Sequence, residues 1–534
     1  MDGEQWLCRL KAPGNQRSNK SLLLMTETER TGMSATKPRL ALLAKDTLVY
    51  GAGTILLRAT ALVTMPVFTR VFTPEDYGVW SVVTTTAGFL GVLLLLGGDN
   101  AYVRFFFEAK TLRERQLLTS TWFAFLFAWS WTVVILGIVA ADPISQLVTG
   151  TSEHGFLMVL ALLTAPLTMI NAMCGQVLRN QFRAALFSVL TLLTVLLTVA
   201  FSLFAVVVLK LGVAGAIGGT LAAALVLLPL RLWTARSMVR PVFSARLLPS
   251  LLGFGVPFVP AGIAYGIFTT SDRIMLSRLS NLEQVGLYSV AASLVGVMVL
   301  ARSALGQAWS PHAIMAYEEQ RDAAPAFLGQ ASTYILVGFS LLAVAISAFA
   351  REVLVVLATP PFYAAALVAG PLALGSLASG STQITALGLG LAKRTYFMII
   401  YAWLAAGLNV GLNFLFIPRW GMMAAAWTTL ASYLFLTLAY GATSQRLFPV
   451  AYEKRKVLAL IALTVPFCLA PRLLPELPLI ASIPLKAGYG LAYVASLFAL
   501  GIIGKREIVA ARAFLSAIKL RRSTAPAADS VSLS

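Results

Sequence analysis

The sequence predicts an all-α polytopic membrane protein of about 14 transmembrane helices, built as two parallel six-helix repeats plus an extra helix pair. Three observations lead to this fold class. Hydrophobic residues make up 58% of the 534 positions and charged residues 12%, too few charges to solvate the surface of a soluble protein. Long apolar runs follow one another along the chain, and one motif recurs at a fixed offset.

The apolar runs define the spans. A hydrocarbon core of about 30 Å requires about 20 apolar residues in a helix, whereas barrel strands alternate polar and apolar residues over about ten. The runs here are continuous, so helices are predicted. Their ranges are 47–69, 77–98, 117–140, 156–176, 184–208, 212–234, 251–272, 285–308, 331–350, 362–388, 396–417, 421–443, 457–475 and 484–504.

The distribution of basic residues predicts the topology. An even number of spans places both termini on one side of the membrane. Of the 41 lysines and arginines, 32 fall on that side and 8 on the other, while Arg58 lies inside the first span. The positive-inside rule therefore predicts a multi-pass protein of the cell inner (plasma) membrane with both termini in the cytoplasm. The net charge of +19 follows from this topology and from attraction to anionic membrane lipids, so no nucleic-acid partner is expected.

The chain divides into segments along the same lines. The first 46 residues are polar and are predicted to be disordered, with Met33 as an alternative start. In the basic tail, residues 505–522 are predicted to form either an interfacial helix on the inner leaflet or a helix extension into water. The predicted segments are a cytoplasmic segment at 1–46, an N-lobe at 47–236, a cytoplasmic linker at 237–250, a C-lobe at 251–446, the extra pair at 447–504 and the tail at 505–534.

An internal repeat relates the two lobes. TPEDYGVWSV at 73–82 aligns with NLEQVGLYSV at 281–290, an offset of 208, and LGVAGA at 211–216 aligns with WGMMAA at 420–425, an offset of 209. Six spans separate the copies. Because six is even, the repeats run parallel, related by an axis along the membrane normal. Carriers of this kind usually hold their substrate near the midplane between the lobes.

Several functions lack the residues that they require. The three cysteines lie far apart, and the chain has only two histidines, His154 and His312. Neither a zinc site nor histidine-based acid/base catalysis is expected, and no cofactor is predicted. A membrane-embedded glycosyltransferase, polymerase or ligase usually has a catalytic carboxylate or a large extramembrane loop, and the sequence has no large loop. We therefore expect a protein that is not an enzyme.

Five fragments resemble the oligosaccharide flippases of polysaccharide biosynthesis (Wzx-type), within the multidrug/oligosaccharidyl-lipid/polysaccharide exporter superfamily. They are FTRVFTPEDYGVWSV at 68–82, AYVRFFFE at 101–108, GFGVPFVPAGIAYGIFTTSDRIMLSRLSNLEQVGLYSVA at 253–291, AWSP at 308–311 and LNVGLNFLFIPRWGMMAAAWTT at 408–429. The long N-terminal segment and the polar Asp99 depart from the family pattern.

The resemblance implies a function and partners. Such a carrier moves an undecaprenyl-diphosphate-linked oligosaccharide from the cytoplasmic to the periplasmic leaflet by alternating access, for O-antigen, capsule or exopolysaccharide assembly. Glycosyltransferases and a polymerase of the same pathway would be its partners, together with membrane lipids. In relatives, an added helix pair can form a groove for the polyprenyl tail.

Arginines are the first candidates for binding a sugar diphosphate, because they stay protonated and hold phosphate oxygens bidentately. Arg58 lies about 16 Å along the first span, at the bilayer middle, where a charge costs about 2.5–3.5 kcal/mol and normally faces a cavity or an ion-pair partner. Arg104 and Arg273 are predicted to belong to the same cavity. Alternatives are a snorkelling anchor for Arg104, and a helix-end contact for Asp272 and Arg273 that fastens a lobe or an outer gate.

Polar and acidic side chains complete the predicted site. Asn409 and Asn413 are candidates to bond sugar hydroxyls, as is Gln383, although helix-to-helix hydrogen bonds are the commoner use of such residues. Asp99 and Asp272 are the candidates for ion or proton coupling or for gating.

Aromatic residues such as Tyr265, Phe268 and Trp309 either stack on sugar rings or fill the bundle. Two rival functions remain open. One is a multidrug or cation exporter of the same superfamily, which would need an acidic pocket. The other is a flippase for a lipid-linked peptidoglycan precursor, which differs in its cargo.

Overall fold

The computed structural model describes residues 63–319, 324–473 and 477–504. Within these ranges the chain is helical and has no strand, which confirms the predicted fold class. The N-lobe helices are α1 (63–71), α2 (Pro74–Leu95), α3 (Gly98–Glu108), α4 (Leu112–Val139), α5 (Ala141–Thr149), α6 (Gly155–Asn180), α7 (Ala184–Leu203), which a π-turn at Phe204–Val208 extends, and α8 (Gly212–Ala235).

The remaining helices follow the linker. They are α9 (Leu248–Gly255), α10 (Val259–Leu279), α11 (Leu282–Glu319), α12 (Ala324–Leu357), α13 (Ala366–Thr385), α14 (Leu387–Leu391), α15 (Tyr396–Leu447), α16 (Lys454–Leu469) and α17 (Leu479–Ala499). Short 3₁₀ turns lie at Val256–Phe258, Pro360–Ala365 and Ala470–Leu473.

Helix starts follow the local sequence. At α2 the Thr73 hydroxyl accepts a hydrogen bond from the backbone N–H of Asp76, and the Asp76 carboxylate accepts one from the backbone N–H of Thr73. At α4 Thr111 and Glu114 form the same reciprocal cap. Each cap satisfies two backbone donors that have no partner within the helix.

Eleven helical segments in the described ranges are long and apolar enough to cross a membrane. The 52-residue α15 is one of them, but it contains two predicted spans, because Gly421 interrupts its helical dihedrals with φ 50° and ψ −132°. A side chain at Gly421 would overlap Gln284, whose side-chain oxygen accepts a hydrogen bond from the Met422 backbone N–H at 2.7 Å. The last predicted span corresponds to α17, and most of the first lies outside the described residues.

The sequence repeat has a counterpart in helix packing. Helices α2 and α11 pack closely where Gly78 lies against the backbone of Leu282 and Gly286 lies against that of Pro74, leaving no room for a Cβ. One turn further along, the hydroxyl oxygens of Ser81 and Ser289 are 2.7 Å apart. Gly78 and Ser81 align with Gly286 and Ser289 at the offset of 208, so equivalent residues of the two repeats meet across a pseudo-twofold axis.

Further contacts between the lobes lie at helix ends that the sequence topology assigns to the periplasmic side, called here the outer ends. The Thr359 hydroxyl donates to the backbone oxygen of Thr69 at 2.6 Å. Ser277 of α10 donates to the backbone oxygen of Val148, near the end of α5. In this structure the outer ends of the lobes are therefore closed against each other.

Helix α9 packs with the N-lobe although it begins the predicted seventh span. Leu251 is 1% exposed and lies in an apolar cluster with Tyr102 and Trp122. The 3₁₀ turn at Val256–Phe258, which contains Pro257, separates α9 from α10. The turn therefore joins a segment that packs on the N-lobe to a helix that carries C-lobe residues.

The extra pair is fastened to the C-lobe. Lys486 of α17 forms an ion pair with Glu352 of α12 at 2.6 Å, and both side chains are 7% exposed. Ser482 also donates to the Glu352 carboxylate. Helix α16 packs on α13, where the Cys468 backbone lies against Gly370.

Candidate functional site

A buried carboxylate lies in the C-lobe between α10, α11 and α15. Asp272 of α10 is 4% exposed. One carboxylate oxygen accepts hydrogen bonds from the Tyr288 hydroxyl at 2.7 Å and the Thr429 hydroxyl at 2.5 Å. The other accepts from the side-chain amides of Asn413 at 2.8 Å and Asn409 at 3.3 Å. Four donors thus replace the water that a carboxylate loses on burial, a loss that would otherwise strongly disfavour the charged form.

A second layer fixes the two amides. The Ser271 hydroxyl donates to the Asn409 side-chain oxygen at 2.8 Å, and the Thr428 hydroxyl donates to that of Asn413. Both asparagines are fully buried. The break at Gly421 folds α15 back on itself, so Asn413 before the break is hydrogen-bonded to Thr428 after it.

Arg273 follows Asp272 on α10 but lies at the contact between the lobes. Its Nε donates to the Ser81 hydroxyl at 3.1 Å and to the Ser289 hydroxyl at 3.3 Å. One terminal nitrogen donates to the Thr269 backbone oxygen at 3.0 Å, and the guanidinium carbon lies 5.8 Å from the centre of the Tyr288 ring. Arg273 therefore bridges α2 and α11 at the pseudo-twofold axis.

A cavity of about 350 Å³ opens in the C-lobe between α10, α11 and α13. Its lining is polar and includes one cation, and consists of Tyr265, Arg302, Ser303, Gly306, Thr382 and Gln383. One terminal nitrogen of Arg302 donates to the Ser379 hydroxyl at 2.7 Å, and in the described part of the chain the other two guanidinium nitrogens have no hydrogen-bond partner. They remain available to a ligand in the cavity.

Sequence reasoning missed Arg302 because basic residues were counted by the side of the membrane to which they belong. Arg302 was assigned to the cytoplasmic side, although it lies about 9 Å inside the end of the predicted span 285–308. The signal was available, because an ionisable residue within an apolar run marks a functional site by default.

Arg231 was missed for the same reason. It is 7% exposed on α8, inside the predicted span 212–234. Its guanidinium donates to the backbone oxygens of Asn171 at 3.0 Å and Leu190 at 3.3 Å and to the Thr194 hydroxyl at 2.6 Å. These contacts tie α6, α7 and α8 together, so Arg231 serves the packing of the N-lobe.

The other predicted site residues lie apart from this cluster. Arg104 of α3 is exposed and pairs with Glu108 at 2.9 Å, and its guanidinium carbon lies 4.6 Å from the centre of the Phe254 ring. Asp99 is exposed in the first turn of the same helix. Arg58 lies outside the described residues, as do Met33 and the helix predicted at 505–522.

The described residues hold no group of three or more histidine, cysteine, aspartate or glutamate side chains that could bind a metal ion. What they do provide is a buried anion held by neutral donors and a separate cationic cavity. A two-lobed helical membrane protein with internal polar sites of this kind belongs to the class of membrane transporters.

The comparisons with known proteins agree with this class. The family model described as polysaccharide biosynthesis protein matches residues 43–315, about half of the chain, and the chain belongs to that family. No curated protein matches the sequence. The family and the similar structures are transporters and flippases rather than enzymes.

Solved structures share the fold at low sequence identity. The structure of the lipid II flippase MurJ in an inward closed conformation aligns with a TM-score of 0.69 and 13% identity, over 85% of this chain and all of that one. An inward-facing multidrug resistance MATE family transporter of the MOP superfamily aligns with a TM-score of 0.62 and 15% identity, over 75% of this chain and 97% of its own. The structure of the MATE transporter VcmN from Vibrio cholerae aligns with a TM-score of 0.54 and 14% identity, over 78% of this chain and 98% of that one.

Proposed function

We propose that this transporter is a flippase that moves undecaprenyl-diphosphate-linked oligosaccharide from the cytoplasmic to the periplasmic leaflet by alternating access. The observation that carries the proposal is the C-lobe cavity with Arg302 in its wall. Membership of the polysaccharide biosynthesis family supports the choice of a sugar cargo.

The chemistry of the cavity fits this cargo. A diphosphate has oxygens that two nitrogens of Arg302, those without a hydrogen-bond partner among the described residues, can bind in a bidentate manner. Around Arg302, the hydroxyls of Tyr265, Ser303 and Thr382 and the amide of Gln383 offer donors and acceptors for sugar hydroxyls. Arg302 lies about 9 Å from the predicted cytoplasmic end of the span 285–308, the side from which a diphosphate in the cytoplasmic leaflet would approach.

Two arginines predicted from the sequence would extend this route. We assign Arg58 to the same transport path between the lobes, because its place at the middle of the first predicted span calls for a polar surrounding. Arg104 belongs at the cytoplasmic mouth, where its exposed charge attracts an anionic headgroup.

We further propose that Asp272 couples transport to an ion. Arginine stays charged under ordinary conditions, whereas a carboxylate can take up a proton or a cation. Asn409 and Asn413 are then part of the coupling site rather than of the cargo cavity, because both amides donate to the carboxylate. Asp99, exposed on α3, is placed instead at the entrance to the path.

A flippase for a lipid-linked peptidoglycan precursor is the second candidate. The fold similarity to the lipid II flippase MurJ over 85% of this chain favours keeping it. The multidrug alternative is less well supported, because an organic cation requires an acidic pocket and the cavity wall carries an arginine.

The test is made in cells that lack this protein. The leaflet location of undecaprenyl-diphosphate-linked oligosaccharide is measured with and without a plasmid-borne copy. We expect the oligosaccharide to accumulate on the cytoplasmic face and the copy to relieve the accumulation. Unchanged distribution with altered resistance to cationic drugs would indicate a multidrug exporter, and loss of viability with normal surface polysaccharide would indicate the peptidoglycan branch.

A further inference from the structure

The contact between the lobes is symmetric except for one charge. Ser81 and Ser289 are equivalent residues of the repeat and meet at 2.7 Å. Arg273 donates to both hydroxyls, but at the same offset of 208 the N-lobe has Met65 in its place. One guanidinium from the C-lobe therefore crosses the axis and joins the lobes at their outer ends.

All hydrogen-bond acceptors of Arg273 in the described part of the chain are neutral hydroxyl or carbonyl oxygens. A half-buried guanidinium with neutral partners is stabilised by a nearby negative charge, because burial removes part of its hydration. The adjacent residue, Asp272, supplies that charge. Its equivalent in the N-lobe is the uncharged Thr64, so both charges belong to the C-lobe alone.

Tyr288 connects the two charges. Its hydroxyl donates to the Asp272 carboxylate at 2.7 Å, while its ring lies 5.8 Å from the guanidinium carbon of Arg273. One residue of α11 thus contacts both charges, and the next residue, Ser289, is a direct partner of Arg273.

We propose that Arg273 is the latch of the outer gate, formed where α2 meets α10 and α11, and that the negative charge of Asp272 keeps the latch closed. Neutralising Asp272, by a proton or a bound cation, leaves the guanidinium without compensation between the lobes. Hydration then stabilises the charge of Arg273 more than its hydrogen bonds to the two serine hydroxyls do, so the outer ends of the lobes separate.

This inference rests on the alternating access of the proposed function but not on the cargo. The experiment uses the full chain with Thr85→Cys as a reporter. Thr85 lies on α2 one turn inward from Ser81, on the same face, and is half-buried. A membrane-impermeant methanethiosulfonate reagent is added to the periplasmic side of spheroplasts without cargo, and the labelling rate is measured by mass spectrometry.

With the latch intact we expect slow labelling at position 85. Arg273→Gln should raise the rate at least tenfold, and Asp272→Asn should raise it severalfold although Arg273 is unchanged. The matched control is Arg278→Gln on the same helix. Arg278 also reaches the N-lobe, through the Gln146 backbone oxygen at 3.1 Å, but it is exposed, so we expect less than a twofold change.

A native cysteine distinguishes misfolding from gate opening. Cys174 is fully buried in the N-lobe and reacts only if the protein unfolds. If Arg273→Gln labels Cys174 as well, Arg273→Lys decides, because lysine keeps the charge but lacks the guanidinium Nε that bonds both serines. Position 85 should then label faster than in the Thr85→Cys protein with Arg273 intact, while Cys174 stays unreactive.

Unchanged labelling in Arg273→Gln, or in Arg273→Lys where the glutamine variant unfolds, would refute the latch. Unchanged labelling in Asp272→Asn would refute the claim that the negative charge of Asp272 keeps the latch closed. Neither result depends on which lipid-linked sugar is carried, so the proposed latch and the proposed cargo can be refuted independently of each other.

Discussion

Replacing Arg302 by glutamine should remove most of the affinity of the cavity for a diphosphate. Two guanidinium nitrogens face the cavity without a partner among the described residues, and a hydrogen bond to a charged group contributes about 1.5–3 kcal/mol. The loss of two such bonds is therefore about 3–6 kcal/mol before the glutamine amide restores part of it. A net loss of about 3 kcal/mol corresponds to a roughly 100-fold weaker Kd.

The assay is a titration of purified protein in nanodiscs with undecaprenyl diphosphate, which has the diphosphate but no sugar. Arg302→Lys keeps a point charge and should weaken binding by about tenfold, because it cannot hold two oxygens at once. Ser379→Ala removes only the hydroxyl that orients Arg302 and should weaken binding by less than tenfold. Binding by Arg302→Gln within threefold of wild type would refute the reasoning.

Three further substitutions test other contacts. Asp272→Leu leaves two buried amides without an acceptor and should destabilise the protein by about 2–6 kcal/mol, measured as a lower Tm in detergent. Asp272→Asn should retain most of the stability but lose transport. Equal Tm values for the two variants would contradict this reasoning. Glu352→Gln breaks a buried ion pair and should cost about 3–5 kcal/mol, and adding Lys486→Met should recover part of the Tm. Gly286→Leu should force α2 and α11 apart and speed the labelling of Thr85→Cys; an unchanged rate would show that the tight contact is dispensable.

Hydropathy and repeat reasoning predicted the helical fold well, because a bilayer allows few alternatives to a long apolar helix. The repeat aligned Ser81 with Ser289 but did not predict that they meet, because only those equivalent residues that lie at the common axis come into contact. The break before α10 could not be predicted from hydropathy, because the residues on both sides of it are apolar and only Pro257 and Pro260 mark the turn.

The candidate site was predicted only in part. Asp272, Asn409 and Asn413 were singled out as polar residues in apolar runs, but their hydrogen bonds to one another depend on how α15 folds back at Gly421. The sequence predicts separate spans on either side of Gly421, but not which of their residues come together. One contact at this break is made by Gln284, 137 positions earlier in the chain, which no local pattern reveals. Arg302 was overlooked because a basic residue near a span end reads equally well as a loop residue.

The ion pair between Glu352 and Lys486 also bears on how the chain enters the membrane during synthesis. Helix α17 is not among the eleven segments that are apolar enough to span by composition, and Lys486 lies within its apolar run. A lysine opposes translocon-mediated insertion by about 2.5–3.5 kcal/mol at the centre of a helix and by less toward its ends, and Lys486 is the eighth residue of this 21-residue helix. Glu352 is synthesised more than a hundred residues earlier, so the nascent last helix meets its counter-ion already in the bilayer. The membrane insertion of α17 thus depends on the correct placement of α12, which carries Glu352.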